Sequence, residues 1–137
     1  MKLGVLVLGL ALSALVVPVS AHHSWTAEYD AKKPITVKGT VSKVEWTNPH
    51  THFYVDVTDA SGKVTTWNFE MASTPALERG GWSRKTLPVG TQVIVEGFAG
   101  RSVAERAIVT SFKGADGKEF FVPKLGNEEL LAVGALE

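Results

Sequence analysis

The chain has 137 residues, a length typical of one domain, and its 14 basic and 14 acidic residues balance. A protein that binds nucleic acid usually carries a basic surplus, so this balance argues against that class. The chain contains no cysteine, which excludes disulfides, thiolate metal sites and cysteine nucleophiles. Its hydrophobic content of 45% is typical of a folded chain rather than a disordered one.

The first 21 residues have the composition of a secretory signal peptide. Met1-Lys2 gives a charged start, residues 3–17 are mostly apolar, and Val19-Ser20-Ala21 supplies small residues. The apolar run is shorter than the ~20 residues that a membrane-spanning helix needs. We therefore expect cleavage after Ala21, export to the periplasm or secretion, and no stable membrane insertion of the mature chain. Because cleavage removes Lys2, the mature chain has one net negative charge.

The remainder of the chain is dominated by strand patterns. Residues 22–34 are predicted to form an irregular N-terminal arm, residues 35–123 the folded domain, and residues 124–137 a C-terminal tail. Apolar and polar residues alternate from Ile35 onward, and the alternation changes phase after Gly39, which predicts a bend or bulge there. The predicted strands are residues 35–47, 50–59, 63–71, 91–98, 106–112 and 119–122.

A short helix is predicted between the third and fourth strands. Thr74 is a plausible N-cap, Pro75 suits the first helical position, and Gly80-Gly81 ends the helix after Arg79. This order predicts an all-β fold, a small antiparallel barrel of five to six strands of the oligonucleotide/oligosaccharide-binding (OB) type. An ordinary β-sandwich is the alternative.

The four histidines fall into two pairs, one of which becomes the amino terminus if the chain is cut after Ala21. The terminal amine and imidazole of His22 could then chelate one metal ion, and a further imidazole would complete a histidine brace. His23 offers a different chelate, through the amine, the intervening amide nitrogen and its own ring. The sequence does not choose between these modes.

The second pair, His50 and His52, is two residues apart on a predicted strand, so both rings point to one face. Two imidazoles on one face can reach a single metal ion. Glu70 and Asn68 are predicted on the polar face of the next strand, where either could accept a hydrogen bond from a histidine, or Glu70 could ligate directly. Copper is the favoured metal, ahead of zinc and nickel, because planar nitrogen ligands suit Cu(II). Binding should weaken as the imidazoles protonate in acid.

Two of the four tryptophans are candidate neighbours of this site. Trp46 is predicted to wall it, and Trp25 to pack the N-terminal arm against the barrel. Trp67 shares a predicted apolar face with Phe69 and is assigned to the core, and Trp82 is expected to plug one end of the barrel. A ring-stacking groove for sugars or bases is the alternative use of these indoles.

Several motifs resemble a bacterial family of short exported proteins of unknown function. They are His22-His23-Ser24-Trp25, Lys38-Gly39-Thr40-Val41, Val44-Glu45-Trp46-Thr47-Asn48-Pro49-His50, Trp67-Asn68-Phe69-Glu70, residues 79–87, residues 93–98 and Ala115-Asp116-Gly117-Lys118. The resemblance implies export and a barrel-like all-β domain, and it brings no established activity or ligand. Family members usually have Phe at the position of Trp25 and many lack a match to His52, so it favours His22, His23 and His50 as the ligand set.

Three functions are therefore considered. The first is a periplasmic metal-binding protein, for which the ligand chemistry favours copper. The second is a non-metal binding module of the cell envelope that recognises a glycan, peptide or partner protein through a barrel face. The third is a copper enzyme, which is disfavoured because no second catalytic group stands out. No catalytic residue is assigned.

Overall fold

The computed structural model describes residues 25–123, which wind into a sheet around an apolar core. The elements in chain order are α1 (Trp25–Glu28), β1 (Tyr29–Glu45), β2 (His52–Thr58), β3 (Val64–Glu70), α2 (Thr74–Arg79), β4 (Gln92–Gly100), β5 (Arg106–Gly114) and β6 (Glu119–Phe120).

The sheet that these residues form has six strands, in the order β3-β2-β1-β4-β5-β6. Neighbouring strands are antiparallel, and a short parallel pairing of β3 with β5 closes five of the strands into a ring. With α2 between β3 and β4, this is the predicted OB-type barrel.

The long strand β1 serves both halves of the barrel, since it pairs with β2 on one side and β4 on the other. It begins at Tyr29, six residues before the predicted start, because Tyr29 and Ala31 already alternate inward as buried residues. The change of phase predicted a bulge beside Gly39, but the register with β2 shifts two residues later, between Val41 and Lys43. Gly39 has a different role: a Cβ atom there would lie 2.3 Å from the backbone oxygen of Asp56.

The hairpin of β2 and β3 follows the predicted alternation closely. Phe53 and Val55 are buried, while their neighbours His52, Tyr54 and Asp56 are partly exposed. Asp59 organises the turn, because its carboxylate accepts hydrogen bonds from the backbone N–H groups of Ser61 and Lys63 at 2.8 and 3.0 Å. Gly62 adopts φ +86°, a value that glycine tolerates best.

Helix α2 begins one residue earlier than predicted, with Ser73 as its N-cap instead of Thr74. The Thr74 hydroxyl does not cap the helix, because it donates to the side-chain oxygen of Asn48 at 3.0 Å. This contact joins α2 to the loop between β1 and β2, which contains a cis Asn48–Pro49 peptide bond.

The core is built from the inward residues of the strands and α2; within it Phe53 stacks on Phe69 and packs at a tilt against Phe112. Trp82 is buried at the edge of this core, packs on Phe112 and donates its indole N–H to the backbone oxygen of Phe121 at 2.8 Å. Trp67 is partly buried against the same core. A separate apolar cluster, formed by Tyr29, Ala31, Phe98 and Ile108 with Trp25 packed against it, underlies the site described next.

Candidate functional site: a histidine cleft at one end of the barrel

A cleft of about 650 Å³ opens where β1 ends, β2 begins, β3 ends and β5 begins. These four ends meet because β1, β2 and β3 are antiparallel neighbours and β3 pairs in parallel with β5. The residues that line it are Trp25, Glu28, Glu45, Thr47, Asn48, Pro49, His50, His52, Glu70 and Arg106. We call this the histidine cleft.

The loop that carries His50 is held on both sides. Asn48 accepts hydrogen bonds from the backbone N–H and the hydroxyl of Thr74, each at 3.0 Å. The Thr47 hydroxyl donates to the backbone oxygen of His50 at 3.0 Å. Thr51 exchanges backbone hydrogen bonds with the segment after β3, through Ala72 and Met71. The position of His50 is therefore fixed by the fold rather than by solvent.

Glu70 is the central residue of the site. Its side chain is only 4% exposed; it accepts hydrogen bonds from Tyr29 and Arg106, and the His50 ring lies in close contact with it. Nδ1 of His50 lies 2.6 Å from Oε1, while Oε2 accepts from the Tyr29 hydroxyl and, at 2.8 Å, from Nη2 of Arg106. Burial alone would raise the pKa of the Glu70 carboxyl, but the hydrogen bonds from Tyr29 and Arg106 outweigh it and hold that pKa below its ordinary value. Glu70 is therefore an ionised buried carboxylate.

Tyr29 and Arg106 supply the donors that this carboxylate requires. Burial, followed by the hydrogen bond to Glu70, raises the pKa of the Tyr29 phenol well above its ordinary value, so the phenol stays protonated. The guanidinium of Arg106 lies 5.6 Å from the centre of the Tyr29 ring and also pairs with Glu28 at 3.3 Å. The negative charge of Glu70 is thus stabilised by the side chains of Tyr29 and Arg106 rather than by water.

His52 has a separate oxygen partner on the same sheet. Its Nδ1 lies 2.9 Å from Oδ1 of Asn68, one strand away. Glu45 is the β1 partner of His52 in the register and accepts a hydrogen bond from the Tyr54 hydroxyl at 3.1 Å. A hydrogen bond from Lys43, with a second from Tyr54, lowers the pKa of Glu45. The carboxylates of Glu45 and Glu70 therefore flank the histidine pair.

These contacts bear on which ring nitrogen of each histidine carries a lone pair. A carboxylate can only accept, so Nδ1 of His50 is the atom that donates toward Glu70. Nδ1 of His52 donates in the same way when the Asn68 amide presents its oxygen, as it does in this structure. A neutral imidazole that donates through Nδ1 has its lone pair on Nε2. Hydrogen bonding of the second ring nitrogen to a carboxylate or carbonyl oxygen is the arrangement usual for histidines that bind metals.

The first described turn of the chain is fastened to the same cleft. The Trp25 ring lies 5.1 Å from the His50 ring and 6.0 Å from the Tyr29 ring. Arg101 binds the turn through its backbone N–H, which donates to Glu28, and its Nε, which donates to the Thr26 oxygen at 2.7 Å. The chain therefore enters the described region beside His50.

Some of the site residues proposed from sequence lie at the cleft, and others do not. His50, His52 and Glu70 line the cleft, Asn68 holds His52, and Trp25 forms one wall. Trp46 packs against the main core and is absent from the described lining of the cleft. His22 and His23 lie outside the described residues, as do the predicted signal peptide and tail.

The cleft also contains residues that the sequence did not single out. Arg106, Glu28 and Glu45 line it, and Tyr29, which is not part of the lining, contributes through its hydrogen bond to Glu70. Within residues 25–123, no group of three or more histidine, aspartate or glutamate side chains lies close enough together to hold a metal ion. None of the helices in that part of the chain is long and apolar enough to cross a membrane.

A model of a family of unknown function, DUF6152, matches residues 10–108. The chain belongs to this family. The match spans most of the barrel and includes both described histidines and Glu70. A search of curated proteins finds no match to the DUF6152 chain.

Solved structures similar to this DUF6152 protein include two crystal forms of the mitochondrial single-stranded DNA-binding protein Rim1 from S. cerevisiae. These are 10% and 15% identical in sequence, each with a TM-score of 0.47, and cover 61% of this chain and 93% and 92% of their own. The N-terminal domain of PriB from Thermoanaerobacter tencongensis is 20% identical, also with a TM-score of 0.47, and covers 61% of this chain and 97% of its own.

Proposed function

We propose that this DUF6152 protein is an exported, periplasmic metal-binding protein that takes Cu(II) in the histidine cleft. The ligands are His50 and His52 together with His22 and His23 of a mature N-terminus created by cleavage after Ala21. The proposal takes the His-His-Ser-Trp start and the Trp-Thr-Asn-Pro-His motif to be features of the family, since together they supply His22, His23 and His50.

The observation that carries the proposal is the partner of each Nδ1 atom. His50 and His52 line one cleft, and oxygen atoms of Glu70 and Asn68 engage both rings through Nδ1. Each ring is thereby oriented, and its Nε2 lone pair is the one left to act as a ligand. This arrangement is the one usual for histidines that bind metals.

The position of Trp25 supports the participation of the N-terminal pair. His22 precedes Trp25 by three residues, and an extended chain spans roughly 3.5 Å per residue, so the terminal amine can reach about 10 Å from Trp25. Because the Trp25 ring lies 5.1 Å from the His50 ring, that distance is enough to bring the amine to the cleft.

The chemistry of the cleft favours copper among the metals considered. The donors are imidazole and amine nitrogens with nearby carboxylate oxygens, which suit the tetragonal geometry of Cu(II) better than the tetrahedral sites of zinc. Nickel accepts similar donors and is placed third. Glu28, Glu45 and Glu70 line the cleft and favour a cation there over a nucleic-acid phosphate.

The test compares two forms of the protein in a Cu(II) titration followed by electron paramagnetic resonance. One form begins at His22, and the other has a single alanine added before His22. The proposal predicts tight binding with nitrogen hyperfine structure for the first form, and weaker binding with an altered spectrum for the second. His50→Ala should also weaken binding, whereas Gln92→Ala, an exposed residue of β4, should not. Equal binding by both forms would rule out the terminal amine as a ligand.

Export is tested separately, by mass spectrometry of the protein recovered from the periplasm of its natural host. The proposal predicts a mature chain that begins at His22. A chain that retains residues 1–21, or that begins beyond His23, contradicts it.

The size of the cleft favours one second candidate, a non-metal envelope binding module. A volume of about 650 Å³ is far larger than an ion requires and lies within the range of organic-ligand pockets. The Trp25 indole in its wall could stack on a glycan ring or a peptide side chain. A glycan or peptide array probed with the protein tests this function: retention that survives His50→Ala but not Trp25→Ala supports the module over the metal site.

A further inference from the structure

Glu70 connects a permanent cation to one of the two histidines of the cleft. Arg106 donates to one carboxylate oxygen at 2.8 Å, and Nδ1 of His50 lies 2.6 Å from the other. We propose that Arg106 and Glu70 are positioning residues that fix the tautomer of His50, and so determine that Nε2 is its ligating nitrogen. The effect on metal affinity rests on the proposed function, whereas the tautomer itself does not.

The direction of hydrogen bonding in this chain of groups cannot be reversed. A guanidinium only donates, and it is never deprotonated in a protein, so the oxygen that faces Arg106 must accept. An ionised carboxylate accepts on both oxygens, so the oxygen that faces His50 also accepts. His50 must therefore donate from Nδ1. Because the Glu70 side chain is only 4% exposed, water has little access to the contacts that link Arg106, Glu70 and His50.

His52 provides a contrast within the same cleft. Its partner, Asn68, has a side-chain amide with both an acceptor oxygen and a donor NH₂ group. Rotating that amide would allow His52 to exchange tautomers without a change of residue. The two rings therefore differ: the tautomer of His50 is set by a fixed charge, and that of His52 is set by an adjustable amide. We infer that His50 is the anchoring ligand of the pair.

The deciding variant is Glu70→Gln, which preserves the shape of the side chain. Since Arg106 only donates, the glutamine oxygen must turn toward Arg106, and its NH₂ group then faces Nδ1 of His50. His50 is expected to respond by moving its proton to Nε2, where the metal would otherwise bind. Nitrogen-15 NMR of the metal-free protein measures the tautomer directly.

The expected spectra are specific to one ring. His50 should be the Nδ1–H tautomer in the natural protein and the Nε2–H tautomer in Glu70→Gln, while His52 stays unchanged as an internal control. Restoring the original tautomer of His50 in the double variant Glu70→Gln/Arg106→Met is the rescue, because the amide can then rotate back. Loss of packing alone would not produce a tautomer exchange that a second substitution reverses.

Copper titration of the same variants gives the functional consequence. Substitution of a residue that orients a metal ligand typically weakens metal binding 10- to 100-fold, and we expect a loss of about that size in Glu70→Gln with partial recovery in the double variant. An Nε2–H tautomer of His50 in the natural protein, which needs no variant to fold, would overturn the inference. So would an unchanged tautomer in Glu70→Gln. If the tautomers behave as expected but the natural protein binds no copper, the proposed function fails and the positioning role of Arg106 remains.

Discussion

Replacing Arg106 with methionine tests how strongly the buried carboxylate depends on its cation. Methionine preserves most of the apolar stem of the side chain, so the change mainly removes the guanidinium. Glu70 would then remain in a buried site with the hydrogen bond from Tyr29 and the contact with His50. Breaking a buried ion pair from one side costs roughly 3–5 kcal/mol. Since the Arg106 side chain is 30% exposed, we expect about 3 kcal/mol, the lower end of that range.

The loss should also depend on pH. The folded protein holds the pKa of Glu70 below its ordinary value, so the stability contributed by this carboxylate is present near neutral pH. It disappears as the pH falls through the folded-state pKa. A protonated Glu70 no longer needs a cation, and the difference between the natural protein and Arg106→Met should therefore shrink in acid.

Urea unfolding followed by tryptophan fluorescence measures both effects. The matched control is Lys43→Met, which removes an exposed cation from its pair with Glu45 and should change the free energy of unfolding little. A loss below about 1 kcal/mol for Arg106→Met near pH 7 would refute the reasoning, because it would fall within the range of an ordinary surface pair. A loss that stays constant into acid would refute it as well.

Three further substitutions test the barrel itself. Gly97→Ala should destabilise the protein by about 3 kcal/mol or prevent folding, since the added Cβ would lie 2.0 Å from the backbone oxygen of Ile108. A urea midpoint equal to that of the natural protein would contradict this. Phe53→Ala should cost about 3–5 kcal/mol in thermal unfolding, because Phe53 is 1% exposed, and a shift in Tm of only a degree or two would show that the core adapts. Trp82→Phe should lower the free energy of unfolding by about 1–2 kcal/mol, because the hydrogen bond to Phe121 is lost. Amide hydrogen exchange at Phe120 should also accelerate. Unchanged exchange at Phe120 would show that Trp82 does not hold β6 in place.

Local patterns were enough to predict most of the barrel. The alternation around Phe53 and Val55 identified β2 and its inward face, and Pro75 with Gly80 located α2 to within one residue. The start of β1 was wrong because Lys32-Lys33-Pro34 interrupts the alternation that Tyr29 and Ala31 begin. Proline and paired lysines usually mark a break, but here they occupy exposed positions of the strand.

The residues of the cleft could be predicted only in part from the sequence, because those that were missed reach it through pairing between strands distant in sequence. Glu70 could be placed beside the histidine pair because β2 and β3 form a hairpin, in which Glu70 pairs with His52 and whose register follows from its turn. Arg106 could not be matched, since it reaches Glu70 through the parallel pairing of β3 with β5, which no local pattern encodes. Tyr29 was missed for the same reason as the start of β1.

The parallel pairing that closes the ring is short, joining Asn68, Phe69 and Glu70 to Arg106, Ala107 and Ile108. Bringing together segments so far apart in sequence requires a large loop to close, a slow and entropically costly step in folding. The hydrogen bond from Arg106 to Glu70 bridges this seam, so any partial opening of the barrel at β3 and β5 would separate the two side chains. Amide exchange along this seam would then report the same opening that releases the His50 ring, coupling the availability of the cleft to the local stability of the barrel.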